Sequence, residues 1–356
     1  MSGGVDSALA AVLLIEQGYE VVGISLKLLP RGGGNGSERA DRCCSAKDAE
    51  DARLVAAHLG IPYYVLNYES QFQRDVVGEF TSAYLMGLTP NPCVRCNELV
   101  KFGSLLGQAV GLGAARLATG HYARVEQEAA GGRYLLRRGI DYERDQSYFL
   151  YSLTQEQLAR ICFPVGHMTK AQVRERAAAY GLKIAAKADS QDLCFVGHDY
   201  RTYLREQCGD RLRSGPITDS AGRILGRHDG LALYTVGQRN GLGLAGGPFY
   251  VIRLDPNTDA VVVGRREELL RREFTAERLN LVAWDCLTDE RPVLMKVRSR
   301  QDALPATVIP LGNARIRVRW QEPQPAPAPG QAAVFYDASE PDLLVGGATV
   351  AADREA

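Results

Sequence analysis

A pair of glycines near the start of the chain leads from a tight turn directly into an apolar helix. Residues 2–7 read SGGVDS, and the run that follows predicts a helix over residues 8–17. Because glycine lets the backbone curl, successive N–H groups can point inward and, with the helix N-terminus, form a cradle for phosphate. Asp6 suits an anion site only beside a Mg²⁺ ion, a ribose or a substrate group. The alternative is a surface turn whose Ser and Asp cap the helix.

Strands and helices alternate through the first part of the chain. The sequence predicts strands over residues 21–28, 61–66 and 116–119, and further helices over residues 46–59 and 172–180. Strands separated by helical segments favour an α/β domain with a parallel sheet and helices on both faces.

Short strands replace this alternation after about residue 195. They are predicted at 248–253, 260–263, 294–298, 306–309, 314–320 and 332–336, and the proline-rich run 323–329 is interpreted as a loop. Several short strands with turn signals indicate small β domains, the last of them a β-barrel. The predicted domains are therefore an α/β domain at 1–203, a small β-rich domain at 204–274 and a barrel at 275–356.

Composition excludes several classes of protein. Apolar residues make up 46% and charged residues 24% of the 356 residues, which is typical of a globular chain and not of a disordered one. Lys plus Arg equals Asp plus Glu, at 42 each, so a nucleic-acid site must be a local patch. The apolar run at 8–15 is shorter than the roughly 20 residues of a membrane span, and no basic region precedes it. The sequence therefore predicts a cytoplasmic protein without a membrane segment.

Closely spaced thiols stand out among the eight cysteines. Cys93 and Cys96 form a C-x-x-C within residues 88–102, LTPNPCVRCNELVKF, and Cys194 lies within residues 189–195, DSQDLCF. In a chain of this length such thiols favour catalysis or metal binding over a disulfide framework. A lone C-x-x-C is compatible with half a zinc site, a redox pair or a pair of iron–sulfur ligands.

The other five cysteines are weaker candidates. Cys43 and Cys44 are adjacent, which is a poor arrangement for chelation, although one of them can contribute to a site. Cys162, Cys208 and Cys286 stand singly and are interpreted as small buried or incidental residues.

Motifs along nearly the whole chain resemble, in order, those of the tRNA-specific 2-thiouridylase family, known as MnmA in bacteria. Besides the two cysteine segments they are SGGVDS at 2–7, GHYAR at 120–124, RDQSYFLYSL at 144–153, FPVG at 163–166 and TVGQRNGLGL at 235–244. SGGVDS by itself resembles the PP-loop of ATP pyrophosphatases and lacks the Gly-Lys-Ser/Thr ending of a Walker A loop. The resemblance implies a parallel-sheet PP-loop domain, adenine nucleotide alpha hydrolase-like, followed by two small β-rich domains.

The resemblance also implies an activity. It is the ATP- and Mg²⁺-dependent 2-thiolation of the wobble uridine, U34, in the tRNAs for Lys, Glu and Gln. ATP adenylates the uracil 2-oxygen, and a persulfide sulfur then replaces it. By motif position Cys96 matches the family nucleophile and Cys194 the persulfide carrier, and the two can close a disulfide when sulfur is released. The implied partners are the anticodon stem-loop of tRNA and a cysteine desulfurase or sulfur-relay protein, and we expect a monomer.

Matching by motif position implies three groups of binding residues. The ATP contacts are Met1, Ser2, Gly3, Gly4, Val5, Asp6, Ser7, Leu26 and Gly120. The target-base contacts are Asn91, Pro92 and Cys93. The tRNA contacts are His121, Arg144, Asp145, Gln146, Arg298, Ser299 and Gln331. Residues 291–320 also hold six Arg and one Lys against one acid, which favours an RNA-facing patch over a merely solvated basic face.

The sequence departs from the family pattern at two places. Well-known members carry Asp where this chain has Cys93, so Cys93, Cys96 and Cys194 are also candidate ligands of a [4Fe–4S] cluster, as in related PP-loop thiolases. Persulfide transfer, which needs no resident metal, is the favoured interpretation. A PP-loop normally follows a strand, whereas Met1 immediately precedes Ser2, which predicts a true start upstream.

Two other functions stay open at this point. One is a different PP-loop ligase, such as an amidating enzyme, which would not need Cys96 and Cys194. The other is a catalytically impaired homologue that only binds RNA or a metal.

Overall fold

The computed structural model describes residues 1–30, 46–188, 193–197 and 199–352. They form two compact units, which are described separately below. Unit 1 comprises Met1–Val77, Cys93–Gly197 and Asp342–Leu344, and unit 2 comprises Gly78–Pro92, His198–Pro341 and Val345–Ala356. Cys43, Cys44 and part of the DSQDLCF motif lie outside the described residues.

Unit 1 contains pairs of parallel strands, as the sequence predicts. Strand β1 (Gly23–Lys27) pairs in parallel with β2 (Tyr63–Asn67), and β3 (Leu117–Ala118) pairs in parallel with β6 (Ile161–Cys162). The predicted parallel pairing is thus confirmed, but within the described residues the two pairs are separate sheets.

An antiparallel hairpin in unit 1 was not predicted. It consists of β4 (Ala123–Gln127) and β5 (Tyr134–Arg138), and the first two residues of β16 (Leu343–Val350) pair with β5. The carboxylate of Asp342 accepts hydrogen bonds from Arg124 Nη2 at 2.6 Å and Arg137 Nη1 at 3.1 Å, which ties both strands of the hairpin to this segment.

The helices follow the predicted order. The α-helices are α1 (Val5–Glu16), α2 (Ala46–Leu59), α3 (Glu69–Phe72), α4 (Gly78–Leu85), α5 (Pro92–Arg95), α6 (Leu106–Gly111), α7 (Gln155–Leu158), α8 (Lys170–Ala179) and α9 (Tyr200–Cys208). Within the part of the chain that the structure describes, two π-helical segments cover Gln73–Val77 and Cys96–Leu105. Helix α2 has the predicted bounds, and α1 and α8 begin a few residues before theirs.

Helices α1 and α8 share one apolar core in unit 1. Leu9 and Val12 of α1 and Val173 and Ala177 of α8 are all at most 2% exposed. Burial of each such Leu or Val side chain contributes roughly 1.5–3 kcal/mol, so this core fixes the start of α1 relative to α8.

Unit 2 contains a four-stranded sheet in its middle part. The strands are β7 (Gly215–Thr218), β8 (Ile224–His228), β9 (Tyr250–Asp255) and β10 (Ala260–Gly264), in the order β8-β7-β10-β9. Strand β10 is parallel to β7 and antiparallel to β9. Val251, Val261 and Val263 are fully buried in the core beneath this sheet.

The C-terminal part of unit 2 is a closed six-stranded barrel. Besides β16 it uses β11 (Leu270–Leu281), β12 (Arg291–Lys296), β13 (Leu304–Gly312), β14 (Arg315–Pro325) and β15 (Ala332–Asp337). The order is β11-β14-β13-β12-β15-β16, and pairing of β11 with β16 closes the barrel. The predicted β-barrel is therefore confirmed.

Strand β14 shows why the basic residues of this barrel face outward. Ile316, Val318 and Trp320 are buried, and the arginines between them are exposed, because successive side chains of a strand point to opposite faces. The strand also corrects one prediction. It continues to Pro325 and pairs with β11, so the first part of the proline-rich run is strand and not loop.

Candidate active site

The SGGVDS segment has the geometry of an anion-binding loop. Gly3 has φ +71°, in the left-handed region that favours glycine, and Gly4 is the N-cap of α1 without a side-chain cap. The Ser7 hydroxyl accepts from the Ser2 N–H at 3.0 Å and donates to the Gly4 carbonyl oxygen at 3.0 Å, which holds the turn. Because the first N–H groups of a helix have no carbonyl partner within it, the start of α1 is suited to phosphate.

The predicted ATP contacts Met1 and Leu26 lie close together, because Met1 is hydrogen-bonded to the strand that contains Leu26. The Met1 amino group donates to the Ile24 carbonyl oxygen, and the Ser25 hydroxyl donates to the Met1 carbonyl oxygen. Tyr63 donates in turn to Ser25 Oγ at 2.8 Å. Leu26 follows Ser25 in β1 and is half-buried.

Gly120 lies directly against the loop. A Cβ atom at Gly120 would be 2.7 Å from both the Asp6 carbonyl carbon and the Ser7 nitrogen. Both of these atoms are backbone, so no side-chain rotation could relieve the contact. The structure therefore brings together two motifs, SGGVDS and GHYAR, that are more than a hundred residues apart in the sequence.

Two residues that the sequence analysis missed hold Asp6. Lys170 Nζ lies 2.8 Å from Asp6 Oδ1 and 2.9 Å from Oδ2, and Tyr122 Oη donates to Oδ1 at 2.7 Å. The only available signal is weak: Tyr122 is part of GHYAR, and Lys170 is a lysine in a chain whose basic residues are mostly arginine.

A second lysine fastens the loop to α2. Lys187 Nζ donates to the Gly3 carbonyl oxygen at 3.0 Å, to Asp48 Oδ1 at 2.7 Å and to Asp51 Oδ2 at 2.6 Å. Burial alone would lower the pKa of Lys187, but its hydrogen bonds to Asp48 and Asp51 outweigh burial and raise that pKa above its ordinary value. Lys187 is therefore charged at neutral pH and holds the turn in place.

The three candidate thiols differ in exposure. Cys93 in α5 is exposed, Cys96 at the start of the π-helical segment is buried, and Cys194 is half-buried. Asn97, next to Cys96, is 2% exposed and donates from Nδ2 to the Phe149 carbonyl oxygen at 3.0 Å. This bond ties the cysteine segment to the RDQSYFLYSL motif, and within the described residues Asn97 Oδ1 is buried without a hydrogen-bond partner.

The positions of the described side chains show whether they could bind a metal ion. Among the residues that the structure describes, no group of three or more His, Cys, Asp or Glu side chains is placed to hold a metal ion. Cys93, Cys96 and Cys194 therefore do not form a cluster ligand set in this structure. Mg²⁺ needs fewer protein ligands, since it is commonly bound by one or two carboxylates together with substrate phosphates, and Asp6 fits that role.

His121 is packed as a neutral ring. Its ring centroid lies 5.8 Å from that of Phe102 and 5.6 Å from that of Phe163, and Nδ1 is 2.7 Å from Thr119 Oγ1. Burial, and secondarily the nearby charge of Lys101, holds the pKa of His121 well below its ordinary value. Any contact of His121 with tRNA is therefore that of a neutral imidazole and not of a cation.

The predicted tRNA contacts at 144–146 have unequal surroundings. Arg144 is exposed, whereas the side chain of Asp145 is 1% exposed and accepts from Arg138 Nε at 3.0 Å and from the Ser147 hydroxyl at 3.0 Å. Gln146 Oε1 accepts from the Tyr122 N–H at 3.0 Å. Arg144 thus has an exposed side chain, while the side chains of Asp145 and Gln146 are held by contacts within unit 1.

In unit 2 the predicted contacts lie in loops of the barrel and at Asn91 and Pro92, where α5 begins. Arg298 is exposed, and a Cβ atom at Gly237 would be 3.3 Å from Arg298 Nη2, so the TVGQRNGLGL motif packs against this arginine. Ser299 is half-buried, and Gln331 donates from Nε2 to the Thr89 carbonyl oxygen at 3.1 Å. In the same unit, Asn91 is half-buried and Pro92 buried.

Models of known families match three consecutive parts of the chain. The model described as the tRNA methyl transferase HUP domain matches residues 1–198. The model described as the tRNA methyl transferase PRC-barrel domain matches residues 201–265, and the one described as the aminomethyltransferase beta-barrel domain matches residues 271–350.

Curated relatives match almost the full length. A tRNA-specific 2-thiouridylase MnmA of Moorella thermoacetica is 49% identical over 98% of this chain and 98% of its own length. The corresponding proteins of Heliobacterium modesticaldum and Roseiflexus castenholzii are 48% and 47% identical, over 98% and 99% of this chain and 91% and 98% of their own lengths.

The chain belongs to the tRNA-specific 2-thiouridylase family.

Membership confirms the resemblance and the fold predicted from the motifs. The family models also divide the chain into three consecutive parts, as the sequence predicts, whereas the exact predicted limits at 203 and 274 and the individual site residues stay predictions. No helix in the described part of the chain is both long and apolar enough to span a membrane.

Proposed function

We propose that this chain is an ATP-dependent tRNA uridine 2-sulfurtransferase that thiolates the wobble uridine, U34, of the tRNAs for Lys, Glu and Gln. The observation that carries the proposal is near-identical length and 49% identity to a tRNA-specific 2-thiouridylase. The glycine loop at the start of α1 supports the use of ATP, and the separate thiols at Cys96 and Cys194 support sulfur transfer.

The loop supplies the binding site for the nucleotide in this proposal. The N–H groups of Gly4, Val5 and Ser7 would bind the phosphates, with Gly120 directly against the loop and Leu26 beside the adenosine. Asp6 would hold Mg²⁺ together with the phosphates, and a bound Mg²⁺ would supply positive charge near the leaving pyrophosphate. Adenylation turns the uracil 2-oxygen into a leaving group and releases pyrophosphate.

Sulfur transfer then needs two thiols with different roles. The terminal sulfur of a persulfide on Cys194 attacks C2 of the uracil, the C2–O bond breaks, and AMP leaves with its electron pair. The Cys96 thiolate attacks the Cys194 sulfur, the S–S bond to the base breaks, and its electron pair stays on the sulfur of the thiolated base. The products are 2-thiouridine and a Cys96–Cys194 disulfide, which an external thiol must reduce before the next turnover.

The remaining assignments complete the proposal. Asn91, Pro92 and Cys93 contact the flipped base, because a wobble base must leave its stack to reach an active site. The anticodon stem-loop binds as the tRNA partner, a cysteine desulfurase or sulfur-relay protein donates sulfur, and the enzyme acts as a cytoplasmic monomer. Residues 1–203 form the catalytic domain, 204–274 the central domain and 275–356 the tRNA-binding barrel.

The charges of the barrel support an RNA-facing surface. Arg319 and Arg317 lie 2.7 Å and 3.8 Å from Glu273, so part of the excess positive charge counted in the sequence is compensated. Arg298, Arg300 and Arg315 are exposed, and within the described residues none of them takes part in an ion pair. Arg315 also lines a cleft of about 930 Å³ in unit 2, together with two further arginines and one carboxylate.

We expect exchange of Arg298 and Arg300 for Ala to weaken tRNA binding and to flatten its salt dependence. Each lost phosphate contact removes about 0.7–0.9 from the slope of log K against log salt concentration. Filter binding of unmodified tRNA over a series of salt concentrations measures both quantities. Arg223→Ala is the matched control, because Arg223 is exposed and paired with Asp219 in the turn between β7 and β8. An unchanged affinity and slope in the double variant would place the RNA path elsewhere.

One assay separates the proposed function from its rivals. The protein is incubated with unmodified tRNA, ATP, Mg²⁺ and a persulfide donor, and thiolated uridine is measured together with ATP–pyrophosphate exchange. We expect thiolation that depends on both ATP and tRNA. Exchange without thiolation would favour another PP-loop ligase, and tRNA binding without either reaction would favour an impaired homologue.

The alternative of a [4Fe–4S] cluster has its own test. Because the described cysteines form no metal ligand set, we expect Cys93→Asp to retain substantial thiolation in protein purified without oxygen and found free of iron and sulfide. Oxygen ligands hold iron–sulfur clusters less well than thiolates do. If Cys93→Asp instead loses thiolation activity together with its iron, persulfide transfer is contradicted.

A further inference from the structure

A carboxylate stands where the proposed function requires a phosphate to bind. Asp6 is the second residue of α1 and lies in the first turn of that helix. A bare carboxylate there would repel the negative charges of a triphosphate and would itself occupy the positive end of the helix dipole. Before a Mg²⁺ ion binds, the site therefore needs a group of the protein itself that offsets the charge of Asp6 and fixes the direction in which its carboxylate points.

Lys170 is placed to offset that charge. Its Nζ atom contacts both carboxylate oxygens, at 2.8 Å and 2.9 Å. The side chains of Lys170 and Asp6 are only 10% and 27% exposed, so solvent screens this pair less than it screens a surface pair. Together the two side chains carry no net charge.

The backbone of Lys170 is held independently of Asp6. Lys170 is the first residue of α8, where Thr169 and Gln172 form a reciprocal capping box. The N–H of Lys170 donates to Asp141 Oδ2 at 2.9 Å. Because α8 also packs against α1 in the core of unit 1, the ammonium group is delivered to Asp6 by a fixed element.

Tyr122 fixes the carboxylate from another side. The side chain is 3% exposed and donates to Asp6 Oδ1 at 2.7 Å. Its backbone is held by Gln146, which accepts from the Tyr122 N–H at 3.0 Å and donates to the Tyr122 carbonyl oxygen at 2.9 Å. The direction of the Asp6 carboxylate is thus set by two donors from separate parts of the chain.

We propose that Lys170, acting with Tyr122, is a positioning residue for the nucleotide: it neutralises and orients Asp6, so that the start of α1 can accept the triphosphate. The inference rests on the proposed use of ATP. The competing explanation is structural, namely that the ion pair only fastens α1 to α8 and has no effect on nucleotide binding by folded protein.

A series of charge variants separates these explanations. The probe is an ATP analogue with a non-cleavable methylene link between its α- and β-phosphates, titrated calorimetrically in metal-free buffer. Lys170→Met leaves Asp6 uncompensated, so we expect binding weakened about tenfold or more. Asp6→Asn removes a negative charge from the start of α1 and should bind more tightly than wild type. The Lys170→Met/Asp6→Asn double variant restores a neutral pair and should bind close to wild type.

The chain offers a matched control for the structural explanation. Arg176 of α8 forms an exposed ion pair with Glu16 of α1, with 2.6 Å between Nη2 and Oε2, so it joins the same two helices away from the loop. We expect Arg176→Met to bind the analogue like wild type. Tyr122→Phe, which removes one donor without a change of charge, should weaken binding less than Lys170→Met does.

Each outcome decides the proposal. The proposal is overturned if no variant binds the analogue more tightly than wild type and the double variant binds as weakly as Lys170→Met. The ion pair would then be only structural. If Lys170→Met does not fold, the other two variants decide. Tighter binding by Asp6→Asn together with wild-type affinity of the double variant supports the proposal, and any other pair of affinities contradicts it. Wild type that fails to bind the analogue would overturn the proposed use of ATP as well.

Discussion

Replacement of Cys194 by Ser is expected to abolish tRNA thiolation and to leave tRNA binding intact. A hydroxyl cannot carry a persulfide, so the loss should exceed about a thousandfold, which is typical when the nucleophile of a covalent mechanism is removed. Cys194 is half-buried, and the change from sulfur to oxygen is small, so the fold should persist. Thiolated uridine, measured beside tRNA affinity in the same preparation, checks the expectation.

Cys96→Ser should also stop turnover, but at a different step. Without the Cys96 thiolate the S–S bond to the base cannot be broken, so a covalent complex between tRNA and Cys194 should accumulate. That complex would be seen as a band shift that a reducing agent reverses. Cys286→Ser is the control, because Cys286 is exposed and has no proposed role. Wild-type rates in either Cys96→Ser or Cys194→Ser would remove that residue from the mechanism.

Local sequence patterns predicted the elements of the fold more reliably than their assembly. Helix α2 was predicted with its observed bounds because its composition favours a helix and Gly60 follows as a stop signal. The hairpin of β4 and β5 was missed because its partner, β16, lies about two hundred residues later in the sequence. The part of the proline-rich run that belongs to β14 was missed for a similar reason, since only pairing with β11 makes it a strand.

The residues of the candidate site also differ in how well the sequence predicted them. The SGGVDS loop could be found because paired glycines before a helix indicate an anion site, and Gly120 could be found because its motif resembles one of a known family. Lys170 and Lys187 could not be found, because each lies in an ordinary polar context and reaches the loop only in the folded chain. The count of basic residues in the barrel overestimated its free charge, since Glu273 lies outside the counted window and compensates part of it.

Because Gly120 lies directly against the SGGVDS loop, we expect a large loss of activity when a side chain is added at this position. In Gly120→Ala the new methyl group would lie 2.7 Å from two backbone atoms of Asp6 and Ser7, so the loop must move. Overpacking of this kind costs roughly 1–3 kcal/mol of stability. Displacement of a substrate-positioning group by about 1 Å can cost about a hundredfold in rate, so we expect at least that loss in ATP–pyrophosphate exchange.

A glycine elsewhere in unit 1 supplies the control for this prediction. Gly107 lies in α6, and a Cβ atom there would have no heavy atom within 4 Å. Gly107→Ala should therefore keep full exchange activity and gain about 0.5–1 kcal/mol of stability, because alanine loses less backbone entropy in a helix. Thermal unfolding and exchange are measured on both variants. Folded Gly120→Ala with wild-type exchange would show that the nucleotide does not depend on the position of this loop, and would contradict the assignment of SGGVDS as the ATP site.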